Sequence, residues 1–175
     1  MPIETERLTL RLPTAEDRVA LHAIWADPAV MADLGPVKTA ADSDATLARH
    51  ASYGNGLGFK AVIRRSDCAV VGFCGLKPGA LGTPIVGEVE AGWMIARAHW
   101  RQGYALEAMR AVLANSCLPT QAQRVVAITA RRNGKSRAMM ARLGMSHQPD
   151  LDFIHPHFSV DDPLADIVTY ALSRR

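Results

Sequence analysis

The segment from residue 88 to residue 108 constrains the fold more than any other part of the sequence. Residues 88–95 alternate in polarity, which predicts a β-strand with one buried face. A turn containing Gly103 follows, and residues 103–117 place small and apolar side chains at helical spacing. The sequence therefore predicts a strand, a tight turn and a helix in direct succession.

The start of this predicted helix is suited to an anion. The first backbone N–H groups of a helix have no intrahelical partner and carry partial positive charge. Gly103 lets the backbone approach a ligand, the small Ala105 leaves room, and Arg101 adds a full charge. Taken alone, these residues favour either an ordinary turn or a pyrophosphate site, and both interpretations stay open.

Alternating or β-branched stretches predict five further strands, at residues 3–12, 59–64, 69–76, 124–130 and 165–172. In the first of them, Leu8, Leu10 and Leu12 are expected to share one buried face. The second and third are expected to form a hairpin around Ser66-Asp67. The Gly- and Pro-rich stretch 77–87 is predicted to be a loop, of the kind that often borders a site.

Capping patterns predict the other helices. Thr14-x-x-Asp17 opens a helix that ends at Asp27-Pro28, and residues 40–53 form a second one. Asn133 caps a helix that ends at Gly144. Helices and strands are thus mixed along one chain, which predicts an α+β sandwich around one mixed sheet, in a single domain spanning 1–175.

Composition excludes several classes of protein. Hydrophobic residues make up 49% and charged residues 21%, values that exclude a disordered chain. The net charge of +3 suits an anionic small ligand and is too small to indicate nucleic acid. Residues 1–11 do not resemble a signal peptide and no apolar run is long enough to span a membrane, so a cytoplasmic protein is expected. Three cysteines, Cys68, Cys74 and Cys117, are expected to be reduced and buried.

The segment Trp100-Arg101-Gln102-Gly103-Tyr104-Ala105 resembles the Gln/Arg-x-x-Gly-x-Gly/Ala signature of the GNAT N-acetyltransferase superfamily. It departs from that signature at Trp100. Residues 3–8, 71–76 and 133–145 are similar to further parts of the family, in the same order. The form of the segment looks like the branch that includes ribosomal-protein N-terminal acetyltransferases and many relatives of unassigned substrate. The resemblance implies an α/β/α sandwich whose central sheet is mixed, mostly antiparallel, and splayed between two parallel strands.

The resemblance also implies acetyl-CoA as co-substrate and no metal. Between the splayed strands, the pantetheine arm is expected to pair with the backbone of Met94, Ile95 and Ala96. Asn133 and Ser136 are expected near the pantetheine and the thioester. In the alternative interpretation Asn133 is only a helix cap, and the two roles can coexist. The pyrophosphate is expected on a run of five residues: Arg101, Gln102, Gly103, Tyr104 and Ala105.

The implied reaction is direct attack of a primary amine on a thioester. Only about a tenth of an α-amino group is neutral at pH 7, so a general base is useful. Glu90 lies where the family often places a base, and Glu88 shares its predicted strand face. Ser136 or a tyrosine is expected to protonate the leaving thiolate. The alternative interpretation is that both glutamates are solvated.

The acceptor is not readable from the sequence. Five aromatic residues are either walls of an acceptor pocket or ordinary core residues, and both interpretations stay open: Trp25, Tyr53, Phe73, Trp93 and Phe153. His155 and His157 are spaced for one strand face, but no third metal ligand is evident, and an acceptor or structural role for His155 is favoured. Arg131 and Arg132 either meet the phosphates of CoA or are solvated.

The sequence also bears on three other functions. A CoA-binding domain without catalysis remains as the alternative, and a nucleotide-binding oxidoreductase is disfavoured because no Gly-x-Gly-x-x-Gly follows the first strand. Scattered arginine pairs argue against nucleic acid. The expected partners are an amine acceptor and at most a second copy of the chain, as a monomer or homodimer, with no membrane.

Overall fold

The computed structural model describes residues 1–115 and 122–173, and this part of the chain is built on one mixed sheet. The strands run in the spatial order β1-β2-β3-β4-β5-β6-β9-β7, and β8 also pairs with β9. Their bounds are β1 Ile3–Glu4, β2 Leu8–Arg11, β3 Gly58–Arg64, β4 Val70–Pro78, β5 Val89–Ile95, β6 Arg124–Ala130, β7 Ser146–His147, β8 Phe153–Ile154 and β9 Asp166–Ser173.

Two groups of helices cover the two faces of the sheet. Short 3-10 turns occur at Ala15–Asp17, Arg97–His99 and Pro149–Leu151. Among the described residues the α-helices are α1 Arg18–Ala26, α2 Pro28–Met31, α3 Ala40–Ser52, α4 Tyr104–Asn115 and α5 Gly134–Arg142. Helices α1 to α3 pack on one face and α4 and α5 on the other, which confirms the predicted α/β/α sandwich.

The alternation of side chains along the strands creates two apolar cores. In β3, Phe59 and Ala61 contribute to the core under α1 to α3, whereas Val62 contributes to the core under α4 and α5. Trp25 of α1 meets Phe73 of β4 edge-on, with 5.3 Å between ring centroids. The sheet therefore separates two packed layers.

Local hydrogen bonds explain where several helices begin and end. Thr39 and Asp42 form a reciprocal capping box at the start of α3. Gly144 ends α5 in the left-handed conformation with φ +81°, and the Met145 N–H donates to the Met140 carbonyl. At Thr14 the predicted cap opens a 3-10 turn, which then leads into α1.

The N-terminal region departs from its prediction. Residues 3–12 form not one strand but two, because the chain turns between β1 and β2 and the Thr5 N–H donates to the Leu8 carbonyl. Leu8 and Leu10 are fully buried as expected, whereas Leu12 lies beyond β2 and is exposed. The two-residue strands β7 and β8 were not predicted, since alternation over two residues gives no signal.

The parallel pair in the sheet is short. Strands β5 and β6 are paired only at Val89 with Val125 and at Glu90 with Val126. Every other neighbouring pair of strands is antiparallel. The sheet is therefore mixed and mostly antiparallel, and it opens between β5 and β6 beyond Glu90.

No helix within the described ranges has both the length and the apolar character needed to cross a membrane.

The loop after β4 makes a close contact that a single methyl group should disrupt. A Cβ at Gly79 would lie 1.9 Å from the carbonyl oxygen of Ile85, whereas a Cβ at Gly54 would have nothing within 4 Å. We expect Gly79→Ala to lower the free energy of unfolding in urea by about 1–3 kcal/mol. Gly54→Ala, the matched control, should change it by less than about 0.5 kcal/mol. Equal stability of the two variants would contradict this packing.

Candidate functional site

The opening between β5 and β6 leaves part of β5 without a partner strand on one side. The Ala96 N–H donates to the Val71 carbonyl of β4, and hydrogen-bonded pairs alternate along an antiparallel ladder. Met94 and Ala96 therefore direct their backbone groups towards β4, whereas Trp93 and Ile95 direct theirs into the opening. Of the three residues expected to pair with the pantetheine arm, only Ile95 has backbone groups in the right direction.

The indole of Trp100 lies in this opening. Its Nε1–H donates to the carbonyl oxygen of Ile95 at 2.8 Å. The ring packs against both apolar cores, so it bridges the two faces of the sheet. The ammonium of Lys135 lies 4.6 Å from the ring centroid, within the range of a cation–π contact. Trp100, the residue that departs from the family signature, thus donates a hydrogen bond to the Ile95 carbonyl and lies beside the Lys135 ammonium.

A cleft of about 640 Å³ follows the opening. Eight of the ten residues predicted to bind the co-substrate line it: Met94, Ile95, Arg101, Gly103, Tyr104, Ala105, Asn133 and Ser136. Ala96 and Gln102 are not among the lining residues, and neither is Glu90. Helix α2 and the turn after it contribute one wall through Ala29, Val30, Asp33 and Leu34.

The turn before α4 has two residues in the left-handed region. Gly103 has φ +81°, and Arg101, which is not glycine, has φ +61°. An L-residue in this conformation is strained, and such strain often marks a functional position. The turn places Arg101 just before the positive N-terminal end of α4, and the anion site expected there stays a prediction.

An ion pair from the N-terminal hairpin braces the same turn. The Arg7 guanidinium donates to the Gln102 carbonyl at 2.9 Å and pairs with Glu107 of α4. Thr5 also donates its hydroxyl to Glu107, at 2.6 Å. Sequence reasoning missed this brace, although Thr5 and Arg7 belong to one of the segments that carry the resemblance. The turn is therefore held in shape before any ligand arrives.

Asn133 and Ser136 form one hydrogen-bonded unit at the start of α5. The Asn133 Oδ1 accepts from the Ser136 N–H, and its Nδ2 donates to the hydroxyls of Ser136 and Thr129. Asn133 therefore acts as a helix cap. Because the Ser136 Oγ accepts one of these bonds, its own hydrogen remains free for another acceptor on the cleft side.

Glu90 lies at the last paired position before the opening, and its side chain is buried. The Lys77 ammonium of β4, directly opposite in the ladder, donates to Glu90 Oε2. Burial raises the pKa of the Glu90 carboxyl above its usual value, although the charge and the hydrogen bond of Lys77 oppose the shift. Glu88 instead accepts from Arg124 and is half-buried. The predicted base is therefore neither solvated nor in the cleft wall.

A buried imidazole, that of His50, packs among aromatic rings on the same face of the sheet as Lys77 and Glu90. His50, nearly fully buried, lies 4.4 Å from the Phe59 ring centroid and 5.2 Å from that of Phe73. Its Nδ1 accepts from the Phe59 N–H. Burial lowers the pKa of His50 to about 4, with the charge of Arg49 acting in the same direction. The sequence carried no signal for this position.

The residues proposed as pocket walls are buried or half-buried and lie in different surroundings. Trp25 and Phe73 belong to the core under α1 to α3, and Trp93 lines the cleft. Tyr53 meets His50 edge-on, and the Phe153 ring lies 5.9 Å from that of His155. Only Trp93 of the five therefore faces the space that the cleft encloses.

The remaining polar candidates have structural partners. The His155 and His157 rings are 5.0 Å apart, and the described ranges contain no group of three or more ligating side chains that would hold a metal. Arg131 pairs with Asp152 and Asp166, and Arg132 pairs with Asp33, and both arginines are exposed, so they are solvated surface charges already engaged by carboxylates. Cys74 is buried, which raises the pKa of its thiol to about 12, but Cys68 is exposed, contrary to prediction. Cys117 lies outside the described residues.

Comparison with known proteins agrees with this architecture. A model of the acetyltransferase (GNAT) domain matches residues 7–146. An uncharacterized N-acetyltransferase, p20, of Bacillus licheniformis is 24% identical over 98% of this chain and 95% of its own. The crystal structure of a GNAT-family acetyltransferase from Bacillus anthracis has a TM-score of 0.78 at 25% identity, covering 99% of this chain and 98% of that one.

A more distant structure shares the fold. It is a candidate ribosomal-protein-serine acetyltransferase from Vibrio cholerae, with a TM-score of 0.71 at 18% identity, covering 99% of this chain and 98% of that one. Since the family model spans most of the sequence, the chain belongs to the GNAT acetyltransferase family. The family and the fold implied by the resemblance are thereby confirmed.

The strain at Arg101 predicts how a glycine at this position changes the free energy of unfolding. Arg101→Gly removes a left-handed strain of about 1–2 kcal/mol but adds about 0.5–1 kcal/mol of chain entropy. We expect a free energy of unfolding equal to that of the wild type or up to about 1.5 kcal/mol higher. Gln102→Gly, next to it and without positive φ, should lose about 0.5–1 kcal/mol. A loss in both variants would argue against strain at Arg101.

The buried His50 predicts a pH dependence of stability. Its pKa is about 4 in the folded protein and near 6.5 when unfolded, so between these values unfolding takes up a proton. The stability contributed by the neutral ring is complete above pH 6.5 and is lost as the pH falls to about 4. His50→Gln should remove this component from urea unfolding measured across that range. An unchanged pH slope in the variant would show that His50 is not its source.

Proposed function

We propose that this protein transfers an acetyl group from acetyl-CoA to a primary amine, on a protein N-terminus or a small molecule, by direct attack. One observation carries the proposal: the opening between β5 and β6 and the positive start of α4 lie along one cleft. The Gly103 turn then joins a strand with free backbone groups to a helix that favours anions. Family membership supports acyl transfer in general.

The residues of the cleft fit acetyl-CoA. The backbone groups of Trp93 and the N–H of Ile95, whose carbonyl already accepts from Trp100, are suited to the amide groups of a pantetheine arm. Arg101, Gly103, Tyr104 and Ala105 are suited to the pyrophosphate, because the helix end and the arginine add positive charge there. Lys135 adds a further cation beside Trp100.

In this proposal acetyl-CoA supplies the acetyl group as an activated thioester, and residues of the chain manage the protons. Glu90, at the end of the parallel pair, accepts the proton that the amine loses, directly or through a water molecule. Its raised pKa makes its carboxylate a stronger base than a solvated glutamate. Ser136, with a free hydroxyl hydrogen, donates a proton to the leaving sulfur.

A CoA-binding domain without catalysis is the alternative. It is favoured by the environment of Glu90, which is buried, paired with Lys77 and absent from the cleft lining. A carboxylate that already pairs with Lys77 is also explained by a structural role in the sheet, without any role in catalysis. The two functions share the co-substrate and differ only in turnover.

One experiment on matched variants tests both. We expect acetyl-CoA at about 100 times its dissociation constant to raise the melting temperature by about 5–11 °C in the wild type and in Glu90→Gln, with no effect of NAD. CoA release with a panel of amines should fall about 10²–10⁴-fold in Glu90→Gln only. Glu88→Gln, on the same strand end, is the control and should keep its rate.

The outcomes separate the alternatives. A melting shift without CoA release in the wild type would favour the binding domain. No shift at millimolar acetyl-CoA would contradict both functions. Equal rates in the wild type and Glu90→Gln would remove Glu90 from the mechanism while leaving acyl transfer in place.

A further inference from the structure

The ion pair of Lys77 and Glu90 is the buried charge pair nearest the end of the parallel ladder. The two residues are opposite each other in β4 and β5, so their side chains share the sheet face under α1 to α3. The Glu90 side chain is 8% exposed and that of Lys77 is 25% exposed. The pair therefore connects a buried carboxylate to an ammonium that reaches the surface.

Stability alone gives little reason for this pair. The cost of removing two charges from water often equals or exceeds their attraction, and apolar residues of similar size commonly serve as well. Lys77 bonds to one oxygen, Oε2, and no described residue donates to Oε1. The ammonium has three donors, of which this bond uses one. Both partners thus retain capacity for a ligand.

Within the described residues, Lys77 is the charged group that acts on the Glu90 carboxyl. Burial, together with His157 and Lys77, lowers the pKa of His155, and burial does the same at His50, so both imidazoles are neutral at pH 7. Arg49 and Lys38 act on His50 as further positive charges. Phe59 covers the neighbouring Gly92 and gives the pair an apolar border.

A buried pair of opposite charges is complementary to a ligand that carries both charges on adjacent groups. A free α-amino acid has this pattern, since its ammonium and carboxylate are separated by one carbon. A peptide N-terminus or a polyamine has the ammonium but lacks the adjacent carboxylate. Such a ligand would form no new ion pair with Lys77.

We propose that the acceptor is a free α-amino acid, whose amine binds Glu90 at Oε1 and whose carboxylate binds Lys77. This inference rests on the proposed acetyl transfer and specifies its substrate class. Lys77 is then a specificity-determining residue that holds the amine on the base. The neutral, apolar border strengthens both contacts, because charges interact more strongly where water is excluded.

The step balances without a further reactant. The ammonium of the amino acid gives one proton to Glu90, and the nitrogen lone pair then forms a bond to the acetyl carbonyl carbon. The carbon–sulfur bond breaks, and its electron pair leaves with sulfur. Sulfur receives one proton, from Ser136 or from solvent, and the nitrogen loses its second proton as the amide forms. The products are the N-acetyl amino acid, CoA and one proton released to water.

The first test compares each amino acid with its own carboxamide. The pairs share a side chain and differ only in the carboxylate, which raises the pKa of the neighbouring amine and so lowers its intrinsic reactivity at pH 7. We expect kcat/KM, measured by CoA release, to be at least about tenfold higher for the preferred acid than for its carboxamide. A charge-assisted hydrogen bond to Lys77 accounts for that factor. An equal or higher kcat/KM for the carboxamide would overturn the proposal.

The second test uses variants of Lys77. In Lys77→Met the ratio of acid to carboxamide should fall to about one, chiefly through a higher KM for the acid, and Lys77→Arg should retain most of it. Lys60→Met is the matched control, because Lys60 lies on the neighbouring strand with its side chain on the other face. Melting temperatures with acetyl-CoA verify that each variant is folded. A ratio unchanged in folded Lys77→Met would also overturn the proposal.

The same measurements distinguish failure of this inference from failure of the proposed function. If acetyl-CoA raises the melting temperature and amines without a carboxylate release CoA as well as amino acids do, acetyl transfer stands and the amino-acid assignment is wrong. If no amine releases CoA and no melting shift occurs, the proposed function itself is wrong. Isothermal titration of the wild-type complex with CoA should show binding of the acid and about tenfold weaker binding of its carboxamide.

Discussion

The candidate site depends on the early end of the ladder between β5 and β6. Only two residue pairs join these strands, the last being Glu90 with Val126, and beyond it β5 keeps a partner on one side alone. Unpaired backbone groups inside a protein must find other partners. The Trp100 indole satisfies one of them, the Ile95 carbonyl, and the rest face the cleft. The early end of the ladder thereby leaves unpaired backbone groups along the cleft.

Charge is distributed unevenly along the structure that results. At one end, Arg101 lies by the positive start of α4 and Lys135 lies over the Trp100 ring, so this part of the cleft is positively charged. At the end of the ladder, Lys77 and Glu90 neutralise each other beside uncharged imidazoles. The first environment favours a polyanion and the second a ligand with balanced charges. In the acetyl transfer that we propose, the two substrates would occupy chemically different surroundings.

Local signals predicted what local interactions decide. The strand, turn and helix at 88–108 and the cap at Asn133 were recognised because alternation, helical spacing and capping depend on neighbouring residues. The predictions of a single strand at 3–12 and of a buried Leu12 were wrong. The bounds of the short strands β7 and β8 were missed. A turn stabilised by one backbone bond and strands of two residues produce no periodic pattern. The resemblance supplied the splayed sheet, which no local pattern indicates.

The sequence by itself determined the family, the order of the elements and the turn at Gly103, since these follow from motifs and from short-range periodicity. Only the tertiary structure decided which groups meet. Lys77 and Glu90 are thirteen residues apart and become partners through the antiparallel register, and Arg7 reaches Glu107 across one hundred residues. Burial then determines their chemistry, because the pKa of Glu90 depends on the water that the packed sheet excludes.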